Sequence, residues 1–191
     1  MGVFDSLRES LRDRARDEIC AGLRTLGVDA RMASRGRPEE GESGAGASVG
    51  IIDIAEGPIR WINVYKYHSG AYSISYGVEV TYRAPKTTIK TITAMESIMG
   101  RMIDPDWRAG GYDRYSPVVK DIQQRLGADA QIRAALIATR DDVSIKGSGV
   151  RDWVITTGTG PGEAPTRQAW DCYQAIAQHL IAARGEEPNT P

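Results

Sequence analysis

One phenylalanine and two cysteines stand in a chain of 191 residues, and neither sign of charge prevails. Each scarcity excludes something. Cys20 and Cys172 are far apart and cannot make a disulfide framework, so a reducing compartment, the cytoplasm, is the expected setting. The single Phe moves the aromatic share of the core onto four Trp and eight Tyr, whose polar atoms need partners when buried. A net charge of −1 lacks the basic excess typical of a nucleic-acid binder. No apolar run approaches the roughly 20 residues that span a bilayer, so no membrane partner is expected. Asp5, Arg8 and Glu9 follow Phe4 at once, which is not the layout of a signal peptide.

What is present is the composition of an ordinary globular domain: 41% hydrophobic and 26% charged residues, enough for one well-packed domain over 1–191. Arginine in large excess over lysine, with abundant Ala and Gly, is the usage of a GC-rich bacterial or phage gene. Charge is uneven. Between residues 57 and 103, Arg60, Lys66, Arg83, Lys86, Lys90 and Arg101 face only Glu79 and Glu96, which makes this stretch locally basic.

The same stretch holds half of the twelve Trp and Tyr residues: Trp61, Tyr65, Tyr67, Tyr72, Tyr76 and Tyr82. From Tyr72 to Tyr82 large and small residues alternate without a break, the period of a strand with one buried face. With Ile59–His68 before it, residues 59–83 read as one long β-hairpin. A two-residue turn, Ser69-Gly70, sets Trp61 and Tyr65 on one face with Tyr72 and Tyr76. A three-residue turn, His68-Ser69-Gly70, slips the register and puts Ile62 and Val64 there instead. The residues leave both open.

Around the hairpin the patterning predicts an amphipathic helix over about 3–26, a short strand within 28–35, a flexible loop over 36–48 and a strand over 49–55. Thr87–Thr93 is ambiguous. Thr93 with Glu96 makes a capping-box signature and predicts a helix over about 94–103. Residues 104–115 read as a loop. Ser116-Pro117 opens a helix that ends near Gly127, and Asp129 caps another through Ile137. A second hairpin spans 143–146 and 150–156, a final helix runs from about 166 to 183, and 185–191 reads as a disordered tail. Strands do not alternate singly with helices, so the expected class is α+β with a mainly antiparallel sheet.

Few constellations carry chemistry. Gly158, Gly160 and Gly162 lie between a strand and a helix, where loop amides can hold an anion, but the Lys-Ser/Thr of a P-loop is missing. Asp104, Asp106 and Asp113 share a loop without the spacing of a calcium site. Cys172 and His179 are two helical turns apart, too far for a nucleophile and its base. Asp53 sits where a metal-dependent nuclease has its first carboxylate, yet Val64-Tyr65-Lys66 supplies no second one. No catalytic residue, metal or cofactor is therefore assigned.

The reading that follows is a non-catalytic binding protein, an adaptor or chaperone-like module. Its partner would be another protein or a second copy, met by an aromatic sheet face or by the N-terminal helix. The binding candidates are Arg60, Trp61, Tyr65, Lys66, Tyr72, Tyr76 and Arg83, since Tyr, Trp and Arg anchor protein interfaces. Two alternatives are single-stranded nucleic acid on the basic hairpin, with Lys66, Lys86 and Lys90 as contacts, and an enzyme holding an anionic ligand at the glycine loop.

Overall fold

A computed structural model describes residues 14–40, 46–92, 95–96, 101–102, 105–158 and 160–183. The chain is α+β. In order it forms α1 (Ala15–Thr25), β1 (Ala30–Met32), a 3-10 turn (Pro38–Glu40), β2 (Gly46–Ile54), β3 (Trp61–Tyr67), β4 (Tyr72–Glu79) and β5 (Thr87–Ile92). There follow β6 (Met95–Glu96), β7 (Arg101–Met102), β8 (Asp106–Gly111), α2 (Pro117–Ala128), α3 (Ala130–Thr139), β9 (Val143–Gly147), β10 (Asp152–Thr157) and α4 (Arg167–Ala182). Eight strands make one antiparallel sheet in the order β1-β2-β3-β4-β10-β9-β5-β8; β6 and β7 pair separately.

The register of the central hairpin follows the three-residue turn. Ile62 lies opposite Tyr76 and Val64 opposite Ile74. Gly70 takes the last turn position with φ of 84°, where a side chain would be strained, and its amide donates to Tyr67 O. Ile62, Val64, Ile74, Tyr76 and Val78 therefore share the inner face, joined by Trp153 and Ile155 of β10, Ile145 of β9 and Ile89 of β5.

The helices lie on that inner face. Ile19, Cys20 and Leu23 of α1 meet β1 and β2; Val119, Ile122 and Leu126 of α2 and Ile132 and Leu136 of α3 join the same cluster. Ala169, Trp170, Tyr173, Ile176 and Leu180 give α4 its buried stripe. Caps begin the last three helices where polar residues precede apolar runs. Ser116 Oγ accepts from Val119 N, Asp129 Oδ1 from Gln131 N and Ile132 N, and Thr166 Oγ1 from Ala169 N. Each such cap is worth about 1 kcal/mol. At the far end of α4, the Tyr82 hydroxyl donates to Leu180 O (2.5 Å) and accepts from Trp153 Nε1 (3.1 Å). Burial pushes that phenol up to about 12.

Three expectations change. Met95–Glu96 and Arg101–Met102 are paired strands and not a helix; Thr93, the expected cap, lies outside the described residues. The β-branched run Thr87–Ile92 instead continues the sheet, pairing with β8 on one side and β9 on the other, with Thr87, Ile89 and Thr91 buried. Within the expected 104–115 loop lies β8, turned inward by Trp107. In the 36–48 segment, Pro38–Glu40 is tied to the sheet and β2 begins at Gly46, ahead of Val49. The expectations of helix over 3–13 and of a disordered tail over 185–191 fall outside the described residues.

Candidate functional site

The residues expected to bind as one surface are dispersed by the register. Trp61 and Tyr65 face the outer side of the sheet; Tyr72 and Tyr76 face the helices. Tyr76 is core: it is 1% exposed, with its ring 4.8 Å from that of Tyr173 and 6.3 Å from that of Trp170. Burial raises its hydroxyl well above the ordinary phenol range. Tyr65 is also buried, at 8% exposed. Trp61 is half-buried, its indole lying over Gly77 so closely that a Cβ there would overlap it. Lys66 Nζ sits 5.5 Å above the Tyr72 ring at the hairpin tip, while Arg83 Nε donates to Gly149 O (2.8 Å) on another turn. No single aromatic sheet face survives as a site.

The outer face near β2 and β3 is partly covered by residues 36–40. Asn63, fully buried, donates from Nδ2 to Glu39 O (2.5 Å) and accepts from Ser48 Oγ (2.6 Å). Arg37 bridges Glu39 and Asp53, and the guanidinium hydrogen bond holds the Glu39 carboxyl below its usual value. Asp53 is thus an ion-pair partner of Arg37.

Exposed aromatics occur elsewhere, in the turn between β8 and α2. Tyr112 is 95% and Tyr115 69% exposed, and the Arg114 guanidinium lies 4.5 Å from the Tyr115 ring centroid. The turn is held by Asp113, whose Oδ2 accepts from Lys86 N (2.7 Å) and whose own amide reaches Lys86 O. That bond ties the Lys86 backbone to the residue between Tyr112 and Arg114. Through Gly149, whose space is closed by the Lys86 side chain, it also brings in Arg83 and the exposed Val150. The chemistry expected of the hairpin, aromatic and basic together, is assembled at this end of the sheet. Sequence reasoning treated Tyr112 and Tyr115 as loop residues. The available signal was two tyrosines flanking Arg114 in a stretch without apolar periodicity.

The second feature is a cavity of about 670 Å³ at the opposite end of the hairpin. Tyr72, Ile74, Tyr76 and Tyr173 line its wall, with Arg140 and Asp141 from the α3–β9 link and Gln168 from the first turn of α4. The glycine loop lines it too. Tyr72 N donates to Gly160 O (2.9 Å) and Gly160 N to Tyr72 O (2.8 Å), while Gly158 N donates to Asp142 O. Two of the three amides expected to cradle an anion are thus already engaged. Gly162, with φ of 80°, lets the chain pass against the Tyr72 ring, where a Cβ would collide. Arg140 is the only described non-glycine residue with positive φ, at 57°. Holding a side chain there costs about 1–2 kcal/mol relative to glycine.

The remaining candidates are structural. Asp106 pairs with Arg108, Asp113 serves the turn, and Asp104 lies outside the described residues; no group of metal-ligating side chains occurs among the described ones. Burial pushes the Cys172 thiol up to about 12, which makes it inert, and His179 Nε2 meets Asp129 Oδ2 at 2.8 Å. Both cysteines are free and buried, and no helix among the described residues is long and apolar enough to cross a membrane.

No protein-family model matches this chain, and no curated protein does. Among solved structures, that of the mycobacterial trehalose monomycolate transport factor A aligns with 93% of this chain and 100% of its own. The TM-score is 0.46 and the identity 9%, too distant to carry an argument about function.

Proposed function

We propose that the chain is a non-catalytic binding protein whose partner is another protein with an acidic surface. The contact would be made at the end of the sheet that carries Tyr112, Arg114 and Tyr115. The observation behind this is the exposure of two tyrosines, 95% and 69%, flanking Arg114, in a turn whose Asp113 is bonded to the backbone of Lys86. Large exposed aromatics are uncommon on a folded surface, and Tyr and Arg are the residues on which binding energy concentrates. The basic neighbours would steer an acidic partner and the rings would anchor it. A cytoplasmic setting belongs to the same proposal, supported by two free, buried cysteines that suit a reducing compartment.

The test replaces Tyr112 and Tyr115, one at a time, with a photo-crosslinking phenylalanine in cells, with Gln178 on the exposed side of α4 as control. A discrete adduct to an acidic protein from positions 112 and 115, lost on the background of Arg114→Ala with Lys86→Ala, is expected. Equal adducts from Gln178, or none from the two tyrosine positions, would overturn the proposal. So would tight, salt-sensitive binding of single-stranded DNA by the purified protein at this end, which would make the partner a nucleic acid.

A further inference from the structure

The cavity beside the glycine loop combines features that the proposed protein contact does not use. At about 670 Å³ it falls in the range of small-molecule sites. One wall is aromatic and apolar: Tyr72, Ile74, Tyr76 and Tyr173. The rest of the lining carries both signs of charge. Arg140 has no side-chain partner among the described residues, and neither does Glu163. Asp141 accepts one hydrogen bond, from the Tyr173 hydroxyl at 2.6 Å, and an ionised carboxylate has room for several. Gln168 stands in the first turn of α4, where helical amides lack intrahelical acceptors.

A purely anionic ligand would meet Asp141 and Glu163 as well as Arg140. A purely apolar one would use none of these charged groups. We infer that the cavity binds a small zwitterion with an apolar side chain, an α-amino acid or a dipeptide. Its carboxylate would pair with Arg140 and the first turn of α4, its ammonium with Asp141 and Glu163. Its side chain would lie along the apolar wall at Tyr72 and Ile74. The left-handed backbone of Arg140 ends α3, its amide donating to Leu136 O, and so sets the guanidinium at the cavity lining.

The experiment is calorimetric titration of the full chain with L-phenylalanine, L-leucine and L-phenylalanyl-L-leucine. N-acetyl-phenylalanine, phenylalanine amide and inorganic phosphate serve as comparison probes. At least one zwitterion should bind about tenfold or more tightly than either blocked form, and phosphate should not bind. Arg140→Gly suits the backbone, so it should raise the melting temperature while weakening the zwitterion about tenfold or more. No binding of any zwitterion at millimolar concentration, equal binding of a blocked form, binding of phosphate instead, or an unchanged affinity in Arg140→Gly would each overturn the inference. These readouts leave Tyr112 and Tyr115 untouched, so the cavity and the protein contact fail or stand separately.

Discussion

Two groups of aromatic residues in this protein have opposite fates. The hairpin holds the larger group, and the fold consumes most of it. Tyr76 is packed between Trp170 and Tyr173, Tyr65 is buried, and Trp61 lies flat over Gly77. The turn after β8 holds only Tyr112 and Tyr115, and both remain in solvent with an arginine beside them. The difference arises from what each backbone is paired to. A strand in the middle of an eight-stranded sheet is held by neighbours on both sides, and its inner face must be covered by helices. A turn beyond the edge strand β8 has no layer above it. Aromatic density alone therefore points to a core, whereas aromatic residues in an edge turn point to a surface.

The strongest way to break this comparison is at Tyr76. Tyr76→Ala should destabilise the protein by about 3–5 kcal/mol, because it removes a fully buried ring from contact with two others. Tyr76→Phe, which keeps the ring, should cost far less. Urea unfolding monitored by tryptophan fluorescence measures both, and a loss below about 1 kcal/mol for the alanine variant would move Tyr76 out of the core. Next in size is Asn63→Ala, expected at about 1–3 kcal/mol. It leaves the Glu39 carbonyl and the Ser48 hydroxyl without their buried partner. Because Asn63 holds the 36–40 segment on the outer face, amide exchange at residues 36–40 should accelerate well beyond any change at β9 or β10. Uniform acceleration would mean that the segment is not separately held.

Much of this fold could be read from local signals because the elements concerned are defined locally. Ser116-Pro117, Asp129 and Thr166 cap helices whose apolar stripes follow at once. The hairpin was visible from its alternation, but its register depended on one glycine, and Gly70 resolves it through a positive φ at the third turn position. β8 was illegible because Asp106, Gly110 and Gly111 are poor strand formers. Its existence rests on pairing with β5, a contact that no local pattern encodes. The capping signature at Thr93 and Glu96 misled for the same reason: where the chain is described at Met95–Glu96 it is paired with Arg101–Met102. At the candidate sites, residue types were legible and their grouping was not. The cavity joins residues 72–76, 138–142, 157–158 and 160–173, brought together by the whole sheet-and-helix packing. The glycine loop stands out in the sequence by its composition alone. Gly162 permits close passage against Tyr72, and the amides of Gly158 and Gly160 are engaged.

The smallest expected effect is the most discriminating. Tyr112→Ser and Tyr115→Ser should each change stability by less than about 0.5 kcal/mol, since neither ring is packed against the core. Trp61→Ala, on the half-buried outer face, should fall between these and Tyr76→Ala, at about 1–2 kcal/mol, because it uncovers Gly77. The ordering matters more than any one value. A ring that contributes little to folding yet stands exposed beside Arg114 has no structural reason to be tyrosine instead of serine. If thermal unfolding of Tyr112→Ser and Tyr115→Ser matches the parent while partner crosslinking is lost, the exposed pair is explained by binding. If either substitution costs as much as Trp61→Ala, the turn packs in solution as the hairpin does, and the contrast between the two aromatic groups disappears.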